Sequence, residues 1–336
     1  MSNPTVPAPV LKLHHDATCI DLHCDSLLAH VAGRRDLRQR SETGHLDFPR
    51  LKEGGVDGQV FAIWVDPKEE RPQGHAAFVF DVLSRAKELW QETEVVLCRT
   101  PQELVQANAS GCIGAILGVE GGHALEGDLG NLDRFFELGV RVFTVTWCNS
   151  NELADSGADE SKPHHGLSML GRQAVRRMNE LGMVIDVSHC SDRAFFAILE
   201  ASRAPVIASH SGLRCRHDFH RNLTDEQVKA LAANQGLLGM VFLPYFLRDN
   251  EAEASVEDVV TGIDHVCQLV GPDFVGLGSD FDGFEGRLAG LPDVSFLPRV
   301  TAGLMSRNYP EADIKKILGD NFLRVWERVR AGSAAG

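Results

Sequence analysis

The sequence predicts a single (β/α)8 barrel of the α/β class, and three observations predict it. Eight nearly continuous apolar runs of strand length recur along the 336 residues. Helical periodicity or helix-start chemistry fills most of the gaps between them. No composition break or long linker divides the chain, so residues 1–336 are expected to form one domain with a core at about 18–329. Barrels of this kind run to about 250 residues or more as one unit.

The strand candidates are 18–23, 58–65, 113–119, 140–146, 183–188, 205–209, 237–242 and 274–279. Their unbroken apolar character fits parallel strands covered by helices on the outer face. Thr100-Pro101-Gln102-Glu103 combines an N-cap Thr, a Pro at the first helical position and a Glu three residues on. Thr224 with Gln227 repeats the capping pattern, and Ser255 with Asp258 resembles it. Leu167, Leu170, Ala174, Met178 and Leu181 share one helical face, with Gly182 as the stop. Residues 243–256 read as a long loop. The runner-up is an open doubly wound sheet. It loses support because no Gly-rich dinucleotide or P-loop fingerprint occurs.

A net charge of −14 argues against a nucleic-acid or anionic-membrane partner. No apolar stretch is long enough to span a bilayer. The N-terminus shows no secretory pattern, Ser2 excludes myristoylation, and the tail lacks an anchor signal, so a cytoplasmic location is expected. The eight cysteines form no CxxC pair and read as reduced, mostly buried side chains.

Polar residues gather where the predicted strands end. In a barrel that rim carries the active site. The first strand ends in Asp21-Leu22-His23-Cys24-Asp25; alternation puts Asp21, His23 and Asp25 on one side. The third ends in Glu120-Gly121-Gly122-His123, the fifth in Asp186-Val187-Ser188-His189, the sixth in Ser209-His210, and the eighth in Ser279-Asp280-Phe281-Asp282-Gly283. Each alone is compatible with a structural role. Together, five strands deliver imidazole and carboxylate to one rim, the ligand types zinc prefers when a water stays bound. His23, Asp25, Glu120, His189 and His210 suffice for two ions sharing Glu120.

The stretches IDLHCDSL, LDFPRLKEGGVDGQVFAIWV, GVEGGHAL, LGVRVFTVTW, VIDVSHCSD, IASHSGLR, HRNLTDEQ, FVGLGSDFDGF and GDNFLRVWERV resemble the renal (membrane) dipeptidase family, peptidase family M19 of the amidohydrolase superfamily. They follow the family's order from about residue 18 to 329. The resemblance implies a TIM-like barrel with two Zn2+ ions that hydrolyses dipeptides. His23 and Asp25 would hold one zinc, His189 and His210 the other, and Glu120 would bridge them. By the same resemblance Asp280 is the catalytic acid/base, and Arg221 grips the substrate carboxylate. The resemblance also places Gly283 in the turn beside the substrate and implies a homodimer. Substrates would be dipeptides with a free C-terminal carboxylate, a D-residue at that position included. One departure stands out: Trp147-Cys148-Asn149 follows the fourth strand, where renal-type members carry a substrate-contacting His. Trp147 is therefore expected to line the pocket. The missing leader and anchor resemble the soluble bacterial members. His164 and His165 read as solvated.

Three other readings compete. A deacylase or lactonase could use the same barrel, since fold does not fix function. A non-catalytic metal-binding barrel would not need Asp280. Cysteine-nucleophile chemistry at Cys190 is disfavoured because adjacent strand residues, His189 and Cys190, face opposite ways.

Overall fold

The structure, a computed structural model, describes residues 6–91 and 93–333. The terminal residues 1–5 and 334–336, part of the segments read for targeting signals, lie outside it. The described strands are β1 (Ile20–Cys24), β2 (Gly58–Trp64), β3 (Val95–Leu97), β4 (Ile113–Glu120), β5 (Val140–Thr144), β6 (Val184–Asp186), β7 (Val206–Ser211), β8 (Leu237–Met240) and β9 (Val275–Leu277). All register pairs between them are parallel. Following the pairings from β1 through β2 and β4 to β9 returns to β1, through Asp21 opposite Leu277, so eight strands close a barrel. Each coincides with one of the eight predicted runs.

β3 is the addition. Its three residues pair with Ile113–Ala115, the first half of one edge of β4, whereas β5 takes the second half, Leu117–Glu120. The other edge of β4 pairs with β2 along seven residues. All eight residues of β4 are buried.

The helix signals act as read. Thr100 Oγ1 accepts from Glu103 N, and Thr224 forms a reciprocal capping box with Gln227. The Asp258 carboxylate accepts the Ser255 N–H at 3.0 Å. Gly182 ends the helix Met169–Leu181 at φ 74°, a left-handed conformation costly for other residues. The region 243–256 differs from expectation. It holds a short helix, Pro244–Leu247, and a 3-10 turn, Glu251–Glu253. Pro244 at the first helical position is the signal that starts the helix.

Two apolar clusters hold the layers together. The larger lies between strands and outer helices. The smaller joins Ile20, Leu22, Val60, Ile116, Val142, Val184, Ile207 and Leu237 of the strands with Phe322, Val325, Trp326 and Val329. The latter four come from the helix Asn321–Ser333, which stops the floor of the barrel at the strands' N-terminal end. The rim that carries the candidate site residues lies at the opposite end.

Candidate metal centre

The rim gathers the other four predicted ligands around Glu120. His189 Nε2 lies 2.8 Å and His210 Nε2 3.5 Å from Glu120 Oε1. His23 Nε2 lies 3.5 Å from the other oxygen, Oε2, and 3.5 Å from Asp25 Oδ1. One carboxylate therefore turns its two oxygens toward two separate groups of donors. The groups His23–Asp25–Glu120 and Glu120–His189–His210 each bring three ligand atoms within 4.8 Å of one another, as does His23–His210–Asp280. His23 Nε2 and Asp25 Oδ1 are buried without a hydrogen-bond partner. Buried polar atoms are normally paired, so this donor set fits divalent cations.

The chain around each ligand explains its aim. Buried Asp186 accepts from Thr144 Oγ1 at 2.6 Å, Ser209 N at 2.8 Å and Ser209 Oγ at 2.6 Å. The Ser209 hydroxyl, its proton committed to Asp186, accepts from His210 Nδ1 at 2.7 Å. That leaves His210 Nε2 as a bare lone pair, 3.1 Å from His189 Nε2. Orientation of this kind from behind the ligand is usual at metal sites. Asp21 does not join the cluster. The β1–β2 register slips between Asp21 and Cys24, which breaks simple alternation. The Asp21 carboxylate instead accepts from Ser279 N at 2.7 Å, Ser279 Oγ at 2.6 Å and Gln59 Nε2 at 3.0 Å.

Three side chains at the rim sit on left-handed backbone: His189 at φ 70°, Asp280 at φ 61° and Asp282 at φ 67°. Such conformations cost about 1–3 kcal/mol each and persist only where the surroundings impose them. Around Asp282 the imposition is visible. Its carboxylate accepts from Ser26, Arg35 and the His45 N–H, and its own N–H donates to His45 Nδ1. This network pins the turn that carries Asp280. Gly283 completes it: a Cβ there would meet Asp280 Oδ1 at 2.3 Å and Asp25 Oδ2 at 2.7 Å, so a larger residue would have to push both carboxylates aside.

Burial dominates the electrostatics. It pushes the Asp280 carboxyl up to about 8 and that of Asp25 up to about 6. It pulls His189 down to about 4. At His23 burial is overcome by the Glu120 and Asp25 carboxylates, which raise the imidazole well above its usual value.

Glu120, His189, His210 and Asp280 open onto a cleft of about 590 Å³, also lined by Trp64, Trp147, Cys148, Phe219, Arg221, Phe246 and Gly283. Arg221 is 5% exposed, its Nε has no partner, and its closest polar contact is Nη2 to His210 O at 3.4 Å. Trp147 stacks on Trp64 with ring centroids 5.2 Å apart. Sequence reading assigned no role to Trp64, the last residue of β2. Cys190 is buried beside Thr146, and burial pushes its thiol up to about 12, which leaves it inert. Cys148, not Cys190, faces the site, 3.9 Å from His189 Nδ1. The eight cysteines are free, half of them buried. His165 is exposed, but His164 bonds Asn151 O at 2.8 Å.

A family profile for membrane dipeptidase (peptidase family M19) matches residues 8–335. The chain belongs to peptidase family M19. It is thus a dipeptidase built as a metallopeptidase on a TIM barrel. This M19 chain is 34% identical over 302 residues to the dipeptidase tcpJ of Claviceps purpurea, covering 87% of the chain and 71% of that relative. A metallopeptidase of Rhodobacter sphaeroides, solved with a phosphinate mimic of L-Ala-D-Ala, superposes with TM-score 0.81 at 30% identity over 93% of this chain and 99% of that one. The probable dipeptidase PvdM of Pseudomonas aeruginosa superposes with TM-score 0.85 at 26% identity over 96% and 98%. Among the described residues of this M19 dipeptidase no helix is long and apolar enough to cross a membrane.

Proposed function

We propose that this dipeptidase holds two zinc ions, one on His23 and Asp25 and one on His189 and His210, with Glu120 bridging. The division of the Glu120 oxygens between two donor groups carries the reading. Imidazole and carboxylate are zinc's ligands in sites that keep an open position. The chemistry such a pair supplies when bound is polarisation of a carbonyl and acidification of a water toward a pKa of about 7.

The chain's own residues do the rest. Asp280 Oδ1, 3.9 Å from His23 Nε2, stands beside the donor cluster and opens onto the cleft. It takes the proton of the attacking water and hands it to the leaving amine, as general base and then general acid. The Arg221 guanidinium, buried without a carboxylate partner, accepts the substrate's α-carboxylate through a planar two-pronged contact. Trp147 and Trp64 form an apolar wall for a substrate side chain. The ligand of the Rhodobacter relative supports dipeptides with a D-residue at the C-terminal position.

The test is a dipeptide panel with L- and D-residues at the C-terminal position, run on wild type and Arg221→Lys. Lys keeps the charge and loses the fork. kcat/KM for free dipeptides should fall about tenfold or more, as expected for weakening a charge-assisted contact worth about 1.5–3 kcal/mol. Hydrolysis of C-terminally amidated analogues, already poor, should barely change. Equal losses on both would make Arg221 structural and favour a deacylase or lactonase preference instead.

A further inference from the structure

Away from the barrel mouth, the described residues contain one more convergent set of metal-type donors. Cys215 Sγ, Asp225 Oδ1 and His265 Nε2 lie within 4.8 Å of one another. His265 Nε2 is 2.8 Å from Asp225 Oδ1 and 3.5 Å from Cys215 Sγ. Three separate pieces of chain supply them. Cys215 belongs to the loop after β7 that also carries Arg221. Asp225 opens the helix Asp225–Ala233, and His265 projects from the helix Val256–Val270. Cys215 is exposed, and the other two are half-buried.

We propose that Cys215, Asp225 and His265 form an accessory site for a zinc-type divalent cation, separate from the pair at the barrel mouth. Thiolate, imidazole and carboxylate are the three side-chain donors zinc takes, and three of them leave a fourth position for water on this open surface.

The geometry also disposes of the other chemistry such a trio suggests. In a thiol–imidazole–carboxylate relay, the acid holds one ring nitrogen while the other faces the nucleophile. Here the carboxylate and the thiol both face Nε2, so no relay exists. Three donors aimed at one point are instead what a shared ion requires. Burial and the Asp225 charge hold the Cys215 thiol above its usual pKa, so it is not a standing nucleophile.

Asp225 is placed in advance by the Thr224–Gln227 capping box. The neighbouring cations are engaged elsewhere: Arg214 pairs with Asp192 at 2.6 Å, and Arg216 faces Asp258 at 3.9 Å. A bound ion would fasten the near end of the Arg221 loop to two helices.

The experiment uses zinc-loaded enzyme dialysed against added zinc, with metal counted by elemental analysis. Wild type should take up one ion per chain more than Cys215→Ser or His265→Ala at low-micromolar free zinc, and these variants should bind it about tenfold or more weakly. Their unchanged dipeptide turnover checks that they are folded. In parallel, iodoacetamide labelling mapped by peptide mass should show Cys215 protected by the added zinc and Cys148 labelled as before. Equal zinc uptake by all three proteins, or undiminished Cys215 labelling, overturns the proposal. Neither result bears on the ions at the barrel mouth.

Discussion

The two ends of the barrel are built on opposite principles. At the floor, strand residues such as Ile20, Val60, Ile116 and Leu237 pack on Phe322 and Trp326, apolar against apolar. At the rim, histidines and carboxylates crowd together with atoms left unpaired, on backbone held in left-handed conformations. The floor has an unpartnered group too, the Trp326 indole N–H, but it is neutral. The rim leaves a guanidinium nitrogen, an imidazole nitrogen and a carboxylate oxygen without partners. Burying polar groups that way costs far more than burying hydrocarbon. The difference teaches that the floor stabilises a fold whose rim gives up stability in favour of ligand binding.

Changes at the two ends should therefore fail differently. The largest effect is expected from Glu120→Ala. Elemental analysis should show both ions lost, with turnover abolished, because each donor group loses its own Glu120 oxygen. Retention of two tightly bound ions would break the bridging assignment. Asp280→Asn should keep metal and substrate binding while kcat falls by roughly 10²–10⁴. Near-normal turnover would remove Asp280 from proton transfer.

At the floor, Trp326→Ala should cost about 3–5 kcal/mol in urea unfolding. Metal content and kcat of the still-folded protein should stay close to wild type. A loss of metal without a loss of stability would contradict the separation of the two ends.

A smaller effect sharpens the contrast through a buried histidine that is satisfied. His14, in the helix leading into β1, bonds Thr301 Oγ1 at 2.7 Å and Gly54 O at 2.8 Å. Burial lowers its pKa from 6.5 to about 4. Between those values the unfolded chain binds the proton and the folded one does not. Its contribution is thus complete above pH 6.5 and is lost as the pH falls toward 4. The shift corresponds to about 3 kcal/mol. Unfolding curves across that window should be less pH-dependent in His14→Gln than in wild type. Identical slopes would mean that His14 is not held neutral.

Much of this was legible in the chain. The eight barrel strands are apolar runs, and each candidate ligand lies at or just past the C-terminal end of its strand, so local reading placed all five at the rim. β3 escaped because three residues show no periodicity and the strand exists only through its partner β4. The Pro244–Leu247 helix is a single turn within a polar stretch, and only Pro244 announces it. The supports of the site escaped for another reason. Ser26, Arg35 and His45 meet Asp282 across 256, 247 and 237 residues. Nothing local marks an ordinary serine or arginine for such a contact. Trp64 and Trp147 likewise meet only after folding, and Asp186 and Ser209 become a brace for His210 only when β6 and β7 lie side by side.

The position of β4 has a consequence for how such an enzyme changes its diet. Clamped on one edge by β2 and on the other by β3 and then β5, it is the strand least free to shift. Glu120 is its last residue and acts as a surveyor's benchmark from which both donor groups are measured. The loops after β5 and β7, which carry Trp147 and Arg221, start from other strands and leave that benchmark untouched. The pocket walls built on those loops can therefore be redrawn without re-laying the ground on which the chemistry stands.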